Sequence, residues 1–410
     1  MIFNILYLED SSKKMKKRLV AMMLVMASVM CLSGCDKEAE TAASDAGQPK
    51  ITVIEAEPLN KVDEPSDSAE NTEAVESSEE SKPAEPVSID GKYRSELTGE
   101  WIPEELKNQR PIAVTVDNEL TALDHYGVNS ADVVYEIMNS TMNGRVTRLM
   151  VIVKDWEKIQ QLGSVRSARP TNFLLAAEYN AILCHDGGPF FIDDYVAKGY
   201  TNNLSGGFAR FSNGKATEFT EYITYEDYKN PTTGKSYDGL KDRIAAAKYS
   251  TEYNSYYPGA HFAFNYDGVD LSSNSQATDA KTVKLPFPHN SSKLVYNEST
   301  GSYEYYEYGK SHIDPMDGDA ITSFKNLIIY SCSFHEYGEG YMIYNVIGSG
   351  SGYYVTGGKA IPITWSKTSE EGITSFTDAT TGKTLELTPG KVYVAIVPDD
   401  KWSELSISGN

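Results

Sequence analysis

An acidic segment without a single aromatic residue most strongly limits how this chain can fold. From Asp36 to Asp90 the sequence has 16 acidic residues, 4 basic residues and no aromatic residue. Such a segment cannot bury enough apolar surface to offset the conformational entropy lost on folding. We therefore predict that residues 36–92 form a disordered tether. The folded body must come from the later part of the 410-residue chain, where 43 of the 45 aromatic residues lie.

The tether also carries much of the charge of the chain. The formal net charge is -21, and residues 36–90 account for -12 of it. Residues 91–410 hold 28 basic and 40 acidic residues, so the folded body is only moderately acidic. Because proteins bind nucleic-acid phosphates mainly through an excess of Lys and Arg, this balance argues against nucleic acid as a partner. A local anion site remains compatible with it.

A basic region and an apolar run precede the tether. Five basic residues lie within 13–18, and the apolar run extends from Leu19 to Leu32, which is the order of a secretory signal. The run rises only about 21 Å, too short for a bilayer core of about 30 Å. It ends in Leu32-Ser-Gly-Cys35, a bacterial lipobox pattern. We predict a lipoprotein signal peptide over 1–35 and lipidation of Cys35, which anchors the protein to the extracytoplasmic face of the cell membrane. The alternative is a plain signal peptide.

The folded body is predicted to have two parts and an α+β fold. The first, over 93–275, is an α/β domain with a mixed sheet, since strand-like runs alternate with helical runs at 171–179 and 189–198. The second, over 283–405, is a smaller, mostly antiparallel β-rich domain. In that part Gly357-Gly358 suits a two-residue hairpin turn, where positive φ favours glycine. Cys184 and Cys332 are expected to be unpaired, buried thiols.

Several motifs in the folded body resemble the YerB-like lipoprotein family. They follow the family's order over residues 100–400. The most specific motif is Val165-Arg-Ser-Ala-Arg-Pro170. The other motifs include Arg110-Pro-Ile-Ala-Val114, Asp117-Asn118, Ala131–Glu136, Thr147-Arg148, His185–Gly188, Gly309-Lys310, His312, Asn326–Ile329, Trp365–Lys367 and Pro389-Gly390. The resemblance implies a lipid-anchored extracytoplasmic protein with a two-part domain and no established reaction. The family has a His-Asn pair in the region matched by Glu218–Tyr225, where this sequence has no histidine.

The candidate site combines basic residues with the ends of predicted strands. Arg166 and Arg169 lie at a predicted helix start, where the helix macrodipole disfavours cations and a bound anion would compensate. Asp117, His185 and Asp186 lie at or just after the ends of predicted strands, and Arg148 lies near the start of another. Open α/β sheets place ligands at the carboxyl ends of their strands. We therefore predict that an anionic or glycan-type ligand binds at Arg148, Arg166, Arg169, Asp117, His185 and Asp186.

Three other interpretations are open. The arginines could form structural ion pairs with Asp117, Glu136 or Asp186. A hydrolase or transferase could use His185 as general base, with Asp186 or Asp117 orienting it and the arginines stabilising negative charge. The β-rich part could be an interaction module for an envelope protein partner. No cofactor is implied, and we expect no metal, because the six histidines show no close metal-ligand spacing along the sequence.

Overall fold

The structure is a computed structural model that describes residues 88–410. The predicted signal peptide, Cys35 and residues 36–87 of the predicted tether lie outside the described residues. Ser88–Ile89 and Lys92–Arg94 form strands, so the last residues of the 36–92 segment belong to the folded body. Within 88–410, the helices are too short or too polar to cross a membrane.

Strands make up most of the regular structure. Up to residue 279 they are β1 (Ser88–Ile89), β2 (Lys92–Arg94), β3 (Trp101–Pro103), β4 (Ile112–Asp117), β5 (Val133–Met138), β6 (Thr147–Val153), β7 (Leu162–Gly163), β8 (Ile182–His185), β9 (Asn202–Ser205), β10 (Ala209–Arg210), β11 (Glu221–Ile223), β12 (Tyr228–Lys229), β13 (Ser236–Tyr237), β14 (Ala263–Phe264) and β15 (Thr278–Asp279). From residue 282 they are β16 (Thr282–Lys284), β17 (Lys293–Asn297), β18 (Ser302–Glu307), β19 (Lys310–Ser311), β20 (Ile313–Asp314), β21 (Ala320–Ile321), β22 (Ser323–Phe324), β23 (Asn326–Cys332), β24 (Phe334–Gly338), β25 (Tyr341–Tyr344), β26 (Gly348–Thr356), β27 (Lys359–Lys367), β28 (Ser375–Asp378), β29 (Glu386–Leu387), β30 (Val392–Pro398) and β31 (Ser406–Ser408).

Helices are few and short. The α-helices of the described residues are α1 (Pro170–Glu178), α2 (Asp193–Val196) and α3 (Leu240–Ala247). Single turns of 3₁₀ helix connect strands at Glu104–Leu106, Leu120–Ala122, Val128–Ser130, Trp156–Lys158, Phe190–Ile192, Thr217–Phe219, Leu271–Ser273 and Pro315–Asp317, and a longer one follows β30 at Asp399–Glu404.

One mixed sheet of eleven strands organises the molecule. Its order is β15-β27-β26-β23-β30-β5-β6-β4-β8-β9, with β28 also paired to β27. Strands β23, β30 and β5 are parallel, as are β4, β8 and β9, and β6 runs antiparallel between the two groups. Because β30 pairs with both β23 and β5, the sheet takes strands from both predicted parts.

The central strands are buried on both faces, so their sequences are almost continuously apolar. Along β5, Val133 and Tyr135 contribute to one apolar cluster, and Val134 contributes to the other. Helix α1 covers the first face with residues such as Phe173. A second sheet, of order β19-β18-β17-β16-β31 with β22 beside β18, covers the other face with residues such as Tyr305.

The predicted fold class is confirmed only in part. The mixed sheet and the antiparallel sheets are present, and the helix predicted at 171–179 is α1. Residues 88–410 are, however, richer in strand than in helix, with 16% helix against 40% strand. The helix predicted over 189–198 is only a 3₁₀ turn followed by the four-residue α2. A sheet, rather than a layer of helices, covers the second face of the large sheet.

Two smaller predictions are confirmed. Thr356 pairs with Lys359, so Gly357 and Gly358 form the two-residue hairpin turn between β26 and β27, with φ of 57° and 77°. Cys184 and Cys332 are both buried and unpaired.

Candidate functional site

The segment Gly163–Ala168 lies between β4 and β8 at their carboxyl ends. The two strands pair directly as far as Val114 and Cys184. Beyond that point, Arg166 takes the place of the partner strand: its N–H donates to the Thr115 carbonyl (2.9 Å), and its carbonyl accepts from the Asp186 N–H (2.9 Å). The most specific motif of the sequence is therefore built into the edge of the sheet where α/β proteins place ligands.

Arg166 forms an ion pair with Asp117 at the end of β4. Its Nε lies 2.6 Å from Oδ2 of Asp117, which is 1% exposed, and its Nη2 lies 3.1 Å from Oε2 of the half-exposed Glu218. Burial acts against the charged form of Arg166, but the carboxylates of Asp117 and Glu218 outweigh burial and raise its pKa. The ion pair of Arg166 with Asp117 that the structural interpretation required is therefore present.

Arg148 and Arg169 have no such partner. Within the described residues neither forms an ion pair with a carboxylate. Nη1 of Arg148, a β6 residue directly opposite Asp117 in the β4–β6 register, donates to Oδ1 of Asn139 (3.1 Å) and to Oγ of Ser167 (3.2 Å). Nη1 of Arg169 donates to the Ala168 carbonyl (3.0 Å) and approaches the same Ser167 hydroxyl (3.4 Å). The Nε atoms of both arginines are buried and have no hydrogen-bond partner.

The basic cluster, defined as Arg148, Arg166 and Arg169, holds more positive charge than its surroundings compensate. Burial, followed by the charge of Arg169, lowers the pKa of Arg148 to about 9. Burial also lowers the pKa of Arg169 to about 10, and the charge of Arg166 acts in the same direction. Within the described residues the carboxylates paired with this cluster are Asp117 and Glu218, and both contact Arg166. An anion at this position would relieve the mutual repulsion of the three guanidinium groups and supply the missing acceptors.

Aromatic rings from two separate parts of the chain lie beside the basic cluster. The guanidinium of Arg169 is 5.0 Å from the centre of the Tyr341 ring. The Phe191 ring is 6.0 Å from Tyr341 and stacks on Tyr337 at 4.4 Å, and the neighbouring Phe190 is 74% exposed. We call Phe190, Phe191, Tyr337 and Tyr341 the aromatic surface. Exposed rings beside a guanidinium can pack against a sugar ring while the charge binds an acidic group.

His185 does not have the surroundings of a general base. It is 1% exposed, and its Nδ1 donates a hydrogen bond to the Gly187 carbonyl (2.8 Å), which can only act as an acceptor. Nε2 is then free to accept from the Asn203 amide (3.2 Å). Burial lowers the pKa of His185, so the ring is neutral and both of its nitrogens are engaged.

Asp186 is directed to a different partner from the one predicted. Its Oδ2 lies 3.3 Å from Nη2 of Arg210, and Arg210 in turn contacts Glu221 (2.6 Å). Asp186 therefore helps to fix the β10–β11 region and does not orient His185. The structure brings Asp117, Arg148, Arg166 and Arg169 together, and places His185 and Asp186 in neighbouring but separate contacts.

The third carboxylate considered as an arginine partner is also committed elsewhere. Glu136 accepts hydrogen bonds from Asn290 (2.7 Å), Thr147 (3.0 Å) and Tyr305 (3.0 Å). These donors come from both predicted parts of the chain. Glu136 therefore ties the two sheets together and does not pair with any arginine of the basic cluster.

Sequence reasoning missed Ser167 as the hydroxyl shared by two arginines, and it missed the aromatic surface. Some signals were available. Phe190-Phe191 follows Gly187-Gly-Pro189, a turn-forming run that exposes the next residues, and residues 336–341 read Glu-Tyr-Gly-Glu-Gly-Tyr. Such a glycine-rich hairpin presents its tyrosines at a surface. Their position beside Arg169, however, depends on how the two parts pack.

Comparisons with known proteins agree with this two-part architecture. Residues 97–239 match the model described as "Protein of unknown function (DUF3048) N-terminal domain", and residues 283–394 match its C-terminal domain. "Putative lipoprotein YerB" of Bacillus subtilis (strain 168) is 24% identical over 313 residues, covering 75% of this chain and 87% of that protein. The crystal structure of the YerB protein from Bacillus subtilis has a TM-score of 0.60 at 21% identity and covers 77% of this chain and 100% of that one.

The protein is one in which an N-terminal and a C-terminal segment of the folded body contribute strands to the same mixed sheet. The chain belongs to the DUF3048 family, the two-part family of unknown function that includes Bacillus subtilis YerB. The resemblance drawn from the motifs is confirmed.

Proposed function

We propose that this protein is a lipid-anchored envelope protein that binds an anionic glycan at the basic cluster. The acidic group of the ligand would lie between Arg148 and Arg169, and a sugar ring would pack against Tyr341 and its aromatic neighbours. The name of the YerB relative and the lipobox ending at Cys35 support the lipid anchor.

One observation carries the ligand proposal: two buried guanidinium groups lie side by side without a carboxylate. Buried charges are normally paired, because an unpaired one loses its hydration without compensation. Here Nε of Arg148 and Nε of Arg169 are both buried donors without an acceptor. A phosphate or carboxylate group would accept from both, as forked guanidinium groups commonly bind such anions.

Titration calorimetry of the detergent-solubilised full chain tests the proposal. We expect binding of a sugar phosphate, weaker binding of inorganic phosphate and no binding of the neutral sugar. Arg169→Gln should weaken sugar-phosphate binding by about 10- to 100-fold, which corresponds to the ~1.5–3 kcal/mol of a charged hydrogen bond. Tyr341→Ala should weaken the sugar phosphate but not inorganic phosphate.

Arg145→Gln is the matched control. Both Nη atoms of Arg145 donate to the Asp400 carboxylate, so it is an arginine already paired within the protein. This variant should bind like the parent protein. If folded parent protein binds neither phosphate nor phosphorylated or carboxylated glycans, or if Arg169→Gln and Arg145→Gln behave alike, the ligand proposal is wrong.

A further inference from the structure

A second group of polar side chains, outside the basic cluster, converges where the two sheets pack together. His125 comes from the loop after β4, Glu307 ends β18, and His312 lies between β19 and β20. One ligand atom from each of the three lies within 4.8 Å of the other two. The three residues are 0%, 2% and 3% exposed, respectively.

The hydrogen bonds of His125 fix its free nitrogen. Nε2 lies 2.6 Å from the backbone carbonyl of Asp117, which can only accept a hydrogen bond. Nε2 therefore carries the proton in the neutral ring. Nδ1 of His125 is then unprotonated, and its lone pair points towards His312.

The same reasoning applies to His312, through two more residues. Asn129 uses its Nδ2 to donate to Asp317 (2.9 Å), so its Oδ1 accepts from the Thr322 hydroxyl (2.6 Å). Since the Thr322 proton is used in that bond, its oxygen must accept from Nδ1 of His312 (2.8 Å). Nε2 of His312 is therefore also unprotonated and carries a lone pair.

The two lone pairs face each other without a proton between them. Nδ1 of His125 and Nε2 of His312 are 2.8 Å apart. Oε1 of Glu307 lies 3.8 Å from Nε2 of His312 and has no hydrogen-bond partner within the described residues. Three electron-pair donors thus meet where the two sheets pack together, and an electron-pair acceptor is required there.

Two buried carboxyl groups lie beside the histidine pair. Glu136 and Glu307 share the Asn290 amide, whose Nδ2 donates to Glu136 (2.7 Å) and approaches Glu307 (3.2 Å). Within the described residues neither carboxyl group forms an ion pair with a lysine or arginine. A divalent cation bound here would displace a proton and compensate the carboxylate that it contacts.

We propose that His125, Glu307 and His312 form a binding site for a divalent transition metal ion, with zinc as the first choice. Two neutral imidazoles and one carboxylate are a common zinc ligand set. The hydrogen bonds to the Asp117 carbonyl and to Thr322 hold the two imidazole rings in place, as such bonds commonly do for metal-binding histidines. The proposal concerns a site separate from the anion proposal and does not depend on it.

Metal analysis of the purified full chain tests this site. After treatment with chelator and return to Zn²⁺ or Co²⁺, we expect one bound ion per chain, a visible Co²⁺ absorption band and a higher thermal midpoint than in the metal-free protein. Glu307→Gln preserves shape and should weaken Zn²⁺ binding by at least about tenfold. Thr322→Val leaves the ligands in place but removes the acceptor for His312, and it should also weaken binding.

The control is His335→Gln, which changes an exposed histidine bonded to Asn345 (3.1 Å) and should leave metal binding unchanged. Circular dichroism confirms that each variant is folded before the comparison. The proposal is overturned if the folded parent protein binds neither ion, or if Glu307→Gln binds metal as well as the His335→Gln control does. Because this experiment measures metal content, failure of the metal proposal can be distinguished from failure of the glycan proposal, which is tested by titration calorimetry.

Discussion

Asp117 connects two groups of different chemistry through different atoms. Its carboxylate pairs with Nε of Arg166 (2.6 Å), while its backbone carbonyl accepts from His125 (2.6 Å). A change of the side chain therefore acts on the arginines and leaves the histidine contact in place. The basic cluster and the histidine pair can be altered independently by mutation even though they share one residue.

Glu221 should make the stability of the protein depend on pH. Burial, followed by the hydrogen bond and the charge of Asp186, raises its pKa from 4.5 to about 7. The folded state then holds a proton more readily than the unfolded state does, so the free energy of unfolding should fall as pH rises from about 4.5 to about 7. Urea unfolding across this range should show a smaller fall in Glu221→Gln than in the parent protein.

The control for this prediction removes the neighbour instead. Asp186→Asn should lower the pKa of Glu221 towards its ordinary value and reduce the same pH dependence. Equal slopes of unfolding free energy against pH in all three proteins would contradict the assignment to Glu221.

The sequence was sufficient to predict part of the basic cluster, for a physical reason. Arg166 and Asp117 lie at the ends of adjacent elements, and Arg148 begins the strand that pairs antiparallel with the one ending at Asp117. Neighbouring strands bring such residues together. His125 and His312, in contrast, lie 187 positions apart, and their contact arises only from the packing of one sheet on the other. No spacing along the sequence could indicate it.

At the scale of elements, the end of helix α1 is held by a buried charge network. Glu178 is fully buried and contacts Nε2 of His261 (2.6 Å), Nζ of Lys367 (3.2 Å) and the backbone N–H of Thr374 (2.9 Å). These partners come from three different segments of the chain. The network therefore fixes α1 against β27 and the loop that follows it.

Removal of one partner should destabilise this packing strongly. We expect Lys367→Met to lower the free energy of unfolding by about 3 kcal/mol, because it leaves the buried Glu178 carboxylate with less compensation. Lys359→Met is a control on the same strand: its ion pair with Asp279 (2.8 Å) is exposed, and such pairs contribute little. Chemical denaturation of both variants makes the comparison, and similar losses would contradict the prediction.

The predicted second helix shows why an element can be shorter than its sequence pattern indicates. Residues 189–198 have helical composition, but Phe190 is 74% exposed and no residue of α2 is buried. A short isolated helix is only marginally stable, and packing of an apolar face normally supplies the rest. Without that face, the helical pattern produced a single turn on either side of Asp193.

At the scale of the whole molecule, the proposed lipid anchor at Cys35 would decide where the site operates. We expect Cys35→Ser to move the protein from the membrane fraction to the soluble extracytoplasmic fraction and to abolish labelling with a radioactive fatty acid. Cys332→Ser is the control, since Cys332 lies in β23 of the folded body and is buried. Membrane association and labelling that persist in Cys35→Ser would contradict the lipid anchor.

The position of β30 has a consequence for how the protein is made. This strand, Val392–Pro398, is synthesised after every other strand of the large sheet, yet it lies between β23 and β5 in the middle. Strand β5 therefore lacks one of its two neighbours, and β23 cannot join the group that contains β4, β5 and β6, until nearly the whole chain has been synthesised. The large sheet therefore closes only at the end of synthesis, and a chain that stops before β30 leaves one edge of β5 without its partner.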